Sequence, residues 1–156
     1  MINRITLLLS TILFLSAPAL LFAESGTGDD VRTLEIEGHD NLRYDVEEFT
    51  AEPGEQLQIV FKTISNMPPQ AMKHNIVLLK ADADVDAFAN ASMMARDNDY
   101  IAPGMEDQMI VNTEMIGGGE TSTVEFTVPE TPGEYVYICT FPGHYGAGMK
   151  GVLIVK

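Results

Sequence analysis

Apolar and polar residues alternate along most of this chain. Leu34-Glu35-Ile36 alternates. Leu42, Tyr44 and Val46 fall on one face of a second run, and Leu57, Ile59 and Phe61 on one face of a third, Gln56 to Ile64. Met109 to Val111, Thr123 to Val128, Tyr135 to Ile138 and Val152 to Val155 add short strand-like segments. His74 to Leu79 is almost continuously apolar, as a strand inside the core is. Turn chemistry separates these runs: Gly38 to Asn41, Glu52-Pro53-Gly54, Asn66 to Pro69, Pro103-Gly104, Gly117 to Gly119 and Pro132-Gly133. One stretch changes period. Between Ala83 and Arg96, the residues Val85, Phe88, Ala89, Ser92 and Met93 recur at helical spacing, with Asp84 or Asp82 placed to cap the first turn. The pattern predicts an all-β fold, a β-sandwich with one short helix inserted, in one domain without repeats.

The first 23 residues follow a different logic. Arg4 precedes an apolar stretch, Ile5 to Leu15, and Leu21-Phe22-Ala23 ends on a small residue. That order reads as a secretory signal peptide cleaved near Ala23, leaving residues 24–156 as the domain and Glu24 to Asp30 as a polar tail. The expected location is therefore outside the cytoplasm, in a periplasm, and no later stretch is long and apolar enough to span a membrane. The nine basic residues are outnumbered by 23 acidic ones, for a net charge of −14, and loss of Arg4 with the leader takes it to about −15. Such a charge argues against nucleic acid or anionic lipid as partner and favours a cationic one. The chain holds one cysteine, which in an exported protein indicates intermolecular pairing or a thiol with a role of its own.

That cysteine opens the stretch with the most chemistry. Cys139-Thr140-Phe141-Pro142-Gly143-His144 and then Met149 lie between two strand-like runs. In a period-2 strand Cys139 shares a face with Tyr135 and Tyr137, at the strand's end. One thiolate, imidazoles and a weak thioether form the ligand set of a blue-copper site. His74, opening its apolar run, can supply the second imidazole. Two other readings exist for Cys139. It could be a buried thiol acting as a small hydrophobe. It could also form a Cys-His nucleophile pair with His144, although no helix N-terminus or basic cluster lies near it to activate it and it ends a core strand. His39 lies in a polar turn and reads as solvated, without a role.

The Cys-x4-His-x4-Met loop, with His74-Asn75 upstream at a strand start, resembles the copper loop of the cupredoxins, most similar to azurin and the auracyanins. The likeness runs from Leu34 to Lys156 and takes in Asn66-Met67-Pro68 and Ile116 to Glu120. It implies a Greek-key sandwich holding one type 1 copper ion on His74, Cys139, His144 and Met149. In that reading His74 is the buried imidazole, its other ring nitrogen bonded to a carbonyl or water. His144 is the imidazole near the surface, through which electrons pass, and Met149 is the weak axial donor. Asn75 and Thr140 would tie the two ligand segments together, and the Asn75 and Phe141 amides would donate to the sulfur. Met67, Met72 and Met93 or Met94 would form an apolar rim. The implied function is single-electron transport, without bond chemistry. Its partners would be redox proteins such as c-type cytochromes or a terminal reductase or oxidase, and the protein a monomer. A copper-delivery protein is the alternative. No second histidine cluster exists for an oxidase or reductase site. The chain departs from azurin in three ways. It lacks the cysteines of a disulfide near the first strands, its His-Met spacing is one residue longer, and Lys73 stands where azurin has the glycine whose carbonyl is a second axial contact. The Lys73 oxygen is expected to be a distant contact or none.

Overall fold

A computed structural model of the chain describes residues 31–156, so the leader and tail expected over residues 1–30 lie outside the described part. In order, the elements are β1 (Arg32–His39), β2 (Arg43–Tyr44), β3 (Glu48–Ala51), β4 (Gln56–Ile64), β5 (Lys73–His74), β6 (Val77–Leu79), α1 (Val85–Ser92), β7 (Met109–Asn112), β8 (Ile116–Gly117), β9 (Thr121–Thr127), β10 (Gly133–Ile138) and β11 (Lys150–Val155). One sheet runs β2-β1-β4-β9, a second β3-β11-β10-β6-β7, and β5 pairs with β8 in a small ladder. Both large sheets are mixed: β1 is parallel to β4 and β3 to β11, while the other pairs are antiparallel.

Alternation explains the core between the sheets. Leu57, Ile59 and Phe61 of β4 and Ile36 of β1 meet Tyr135 and Tyr137 of β10 and Leu153 and Val155 of β11, all buried. Burying each such side chain is worth ~1.5–3 kcal/mol. A second cluster covers the other face of β6 and β10, where Val77, Leu79 and Ile138 pack against Phe88 and Ala89 of α1 and against Ala102. β6 is thus buried on both faces, which is why its sequence is continuously apolar rather than alternating.

The helix is shorter than its periodicity suggests. Asp84 caps it, accepting from the Ala87 amide at 2.9 Å. It ends at Ser92, whose hydroxyl accepts from the Ala102 amide at 3.1 Å and ties the chain into a turn there. Two other expectations are corrected. His74 to Leu79 is not one strand: β5 joins β8, β6 joins β10 and β7, and Asn75-Ile76 form the break. The run from Leu42 to Val46 pairs only over Arg43–Tyr44, because Leu42 is in the left-handed region at φ 58°. β3 went unforeseen, its Phe49 and Ala51 buried through parallel pairing with β11.

The break after His74 matters most for the site. The Asn75 side chain turns to Thr140, and the Ile76 amide goes to Thr113 Oγ1 at 2.9 Å. His74 therefore leaves the large sheet and faces the loop between β10 and β11. Those two strands form a hairpin whose last ladder pair is Ile138 and Lys150. The loop Cys139 to Met149 projects from its end.

Candidate metal centre

Backbone bonds wind this loop back over its own start. The His144 amide donates to the Phe141 carbonyl at 3.1 Å, Ala147 to Gly143 at 3.0 Å, Gly148 to Tyr145 at 2.8 Å and Met149 to His144 at 2.9 Å. The winding passes through left-handed backbone at Gly143, φ 85°, and Gly148, φ 101°, where a side chain is strained. The Cys139 amide then closes the base on the Met149 carbonyl at 3.2 Å. Cys139, His144 and Met149 are so brought together from positions spread along the loop.

His74 completes the cluster from β5. Its Nδ1 lies 3.1 Å from His144 Nδ1 and 3.8 Å from Cys139 Sγ, and His144 Nδ1 lies 3.5 Å from the same sulfur. A point equidistant from the three atoms is about 2 Å from each, the length of a metal–imidazole bond. The residues therefore fit a single small ion held by two nitrogens and a sulfur. Met149 is fully buried at the edge of this cluster. A Cβ on Gly38 would stand 3.0 Å from the Met149 methyl and 3.2 Å from His74 Cδ2, so β1 runs directly beneath both side chains.

The electrostatics suit a cation. Burial lowers His144 to about 4, and burial together with the neighbouring His144 lowers His74 to about 4. Both imidazoles are neutral at pH 7, with a lone pair to give. Burial pushes the Cys139 thiol up to about 12, partly offset by the Asn75 and Phe141 amides that donate to its sulfur. An uncharged buried thiol is a poor nucleophile, which removes the Cys-His hydrolase reading. A metal ion supplies the positive charge that ionises it.

The surrounding residues divide between those foreseen and those not. Asn75 Nδ2 donates to Thr140 Oγ1 at 2.8 Å and the Thr140 amide donates to Asn75 Oδ1 at 2.9 Å. Tyr44 was not foreseen as part of the site, yet its hydroxyl donates to the Asn75 carbonyl at 2.5 Å inside the core. Only its place in the β2 alternation hinted at burial. Thr113, which holds the Ile76 amide, gave no signal. His144 was expected near the surface; it is 5 % exposed, its ring 4.8 Å from that of Phe141, which in turn meets Tyr100 edge-on at 5.3 Å. His74 Nε2 is buried and has no carbonyl partner among the described residues, which leaves water as the partner expected for it. Gly38 leaves no room for a side chain beside this ring. Of the methionines placed on the rim, Met67, Met93 and Met94 are exposed, whereas Met72 is buried. Lys73 is half-buried in β5 opposite Gly117. His39 stays outside the cluster, with its Nε2 3.4 Å from Glu37 Oε2.

Residues 31–156 match the family described as copper binding proteins, plastocyanin/azurin family. The chain belongs to the plastocyanin/azurin family. It is 40 % identical over 122 residues to azurin from Achromobacter denitrificans, spanning 76 % of this chain and 80 % of that one. Its fold is similar to the auracyanin of Roseiflexus castenholzii, with TM-score 0.70 at 39 % identity over 80 % of this chain and 96 % of the other. It is also similar to auracyanin A, a "blue" copper protein of Chloroflexus aurantiacus, with TM-score 0.71 at 35 % identity over 80 % and 98 %. The protein is accordingly a blue copper electron carrier of the plastocyanin/azurin family, not an enzyme. When bound, copper supplies the one-electron couple between Cu(I) and Cu(II).

Proposed function

We propose that His74 Nδ1, Cys139 Sγ and His144 Nδ1 hold one type 1 copper ion with Met149 as weak axial donor, and that the protein shuttles single electrons between redox proteins outside the cytoplasm. The observation that carries the assignment is the buried triangle of two nitrogens and one sulfur, sized for one ion. Asn75 and Thr140 lock the His74 segment to the Cys139 segment. The Asn75 and Phe141 amides draw charge from the sulfur and so tune the metal. The Lys73 carbonyl is read as a distant contact at most.

Burial of all four side chains supports a carrier over a copper-delivery protein, because handing over the ion requires an incoming ligand to reach it. Exposed Pro142, Gly143 and Ala147 flank buried His144 along the loop and are read as a thin uncharged cover through which an electron can leave. Exposed Met93 shares a groove with Phe141, Gly143 and Gly146, which gives the cover an apolar rim. Weak redox encounters bury little area, so a rim of this size is enough. The net charge of −14 fits a basic partner such as a c-type cytochrome, with a terminal reductase or oxidase as the other class. Residues 1–23 are read as a signal peptide to the periplasm and 24–156 as the monomeric domain.

Loading the purified protein with copper and recording its visible spectrum tests the reading. An intense red-region thiolate-to-copper band, lost and regained on one-electron reduction and oxidation, is the expected result. A colourless protein that takes up only Cu(I) would overturn it in favour of delivery.

A further inference from the structure

We infer that Arg43 is a positioning residue for the axial ligand: it grips the Ala147–Gly148 segment and, together with Gly38, sets how closely the Met149 thioether approaches the metal. The inference rests on Met149 being that ligand. Arg43 Nη1 donates at 2.7 Å to the Ala147 carbonyl, a residue 104 positions away, and at 2.7 Å to the Leu42 carbonyl. No backbone amide among the described residues donates to the Ala147 oxygen, so Arg43 is its partner. The guanidinium also lies flat against Gly148, where a Cβ would stand 3.1 Å from Cζ, Nη1 and Nη2 alike. Gly148 immediately precedes Met149.

The other side of Met149 rests on the neighbouring strand. β1 and β2 pair Gly38 with Tyr44 and His39 with Arg43, so Gly38 and Arg43 are diagonal neighbours in one hairpin. Gly38 lies under the Met149 methyl and His74 Cδ2. Tyr44 fixes the same hairpin to the Asn75 carbonyl, next to His74. The turn that joins the two strands holds Leu42 in left-handed backbone, a cost that the Arg43 bond to its carbonyl helps to offset. One hairpin therefore touches both the imidazole side and the thioether side of the site. The pairing of Arg43 with Glu47 is long, 3.9 Å, and exposed, so it does not account for the position of the guanidinium.

Charge and position act in opposite directions on the potential, which makes the inference testable. Removing a cation near copper favours Cu(II) and lowers the potential. Slackening the loop withdraws the thioether, weakens the axial donor and raises it. Arg43→Lys keeps the charge but loses the planar guanidinium that lies against Gly148 while its Nη1 bonds two carbonyls, and Arg43→Met loses both charge and plane. We expect the potential to rise in Arg43→Lys, with a changed ratio of the secondary to the main thiolate band. In the copper-free forms of both variants the Gly148 and Met149 amides should exchange roughly tenfold faster. Gly38→Ala, whose Cβ presses on the Met149 methyl and Phe61 Cζ at 3.0 Å and on His74 Cδ2 at 3.2 Å, should change the band ratio while those amides stay protected.

Silence of Arg43→Lys in potential, spectrum and exchange overturns the inference. So does a lowered potential in Arg43→Met with spectrum and exchange unchanged, since that is the field of the charge alone. An unchanged spectrum in Gly38→Ala overturns the part assigned to Gly38. Met149→Leu separates this inference from the site reading beneath it. If Met149→Leu shifts the potential while Arg43→Lys does not, Arg43 alone is wrong. If Met149→Leu is also silent, the axial assignment and the Arg43 inference fall together.

Discussion

Asn75 and Thr140, 65 residues apart in the chain, hold each other by reciprocal hydrogen bonds of 2.8 and 2.9 Å inside the core. Asn75 follows His74 and Thr140 follows Cys139, so the pair fixes the spacing of two proposed copper ligands, one in β5 and one just past the end of β10. It also explains why the apolar run breaks after His74: a straight strand would carry that imidazole into the large sheet.

Substituting Asn75 by Leu leaves the buried Thr140 amide and hydroxyl without partners. Unfolding free energy should fall by ~3 kcal/mol in denaturant titration. The charge-transfer band of the copper form should shift as the sulfur moves relative to His74. A variant with unchanged stability would show that the two segments are held by packing instead.

Cys139→Ser should abolish the blue band, because a hydroxyl gives no thiolate charge transfer. His144→Gly should open a gap in the loop that added imidazole fills, restoring colour. Visible spectra with and without imidazole decide both. Retention of colour in Cys139→Ser would sink the ligand assignment.

Met149→Leu should keep copper and colour but raise the potential, since loss of a donor disfavours the more charged Cu(II). Met149→Gln should lower it, because an oxygen donor favours Cu(II). Voltammetry of the three proteins provides the order, and Lys73→Gly should move the potential little.

The copper-free protein should lose stability on mild acidification. In the unfolded chain both imidazoles take up protons near 6.5, and in the folded one only near 4. Between these values the unfolded state binds more protons, so stability falls as pH drops from 6.5 to about 4 and levels off below, as far as these groups are concerned. The loss should amount to a few kcal/mol. Bound copper should delay it, since protons must then displace a metal. Denaturant midpoints measured across that range, with and without copper, provide the check.

Electron transfer to a basic cytochrome should slow as salt rises, because screening cuts the reach of exposed charges to about 8 Å at physiological strength. Ala147→Lys should slow it at every salt concentration, by wetting the cover over His144. An unchanged rate in Ala147→Lys at high salt, with transfer lost in Asp82→Lys, a neighbouring exposed carboxylate that does not cap the helix, would place the exit for electrons elsewhere.

Much of this protein was legible in one dimension because the relevant spacings are local. The alternation of Leu57, Ile59 and Phe61 follows from the two-residue pleat. The helical stripe of Val85, Phe88 and Ala89 follows from the helical turn. The thiol, imidazole and thioether of Cys139, His144 and Met149 lie within a single loop, so their types and order already pointed to copper. Asn75 and Thr140 were legible only through likeness to a family. The rest depended on contacts between distant segments. The apolar run from His74 to Leu79 carries no mark of its break, which is made by Thr140 and Thr113 from elsewhere in the chain. Phe141 and Tyr100 bury a histidine that its turn sequence placed near the surface. Arg43, on the polar face of the Leu42 to Val46 alternation, looked like any solvated cation until folding set its guanidinium against Ala147 and Gly148. Backbone periodicity and local chemistry are written residue by residue, but which carbonyl is left for a guanidinium, and which ring covers which, is decided only when two sheets close on one another.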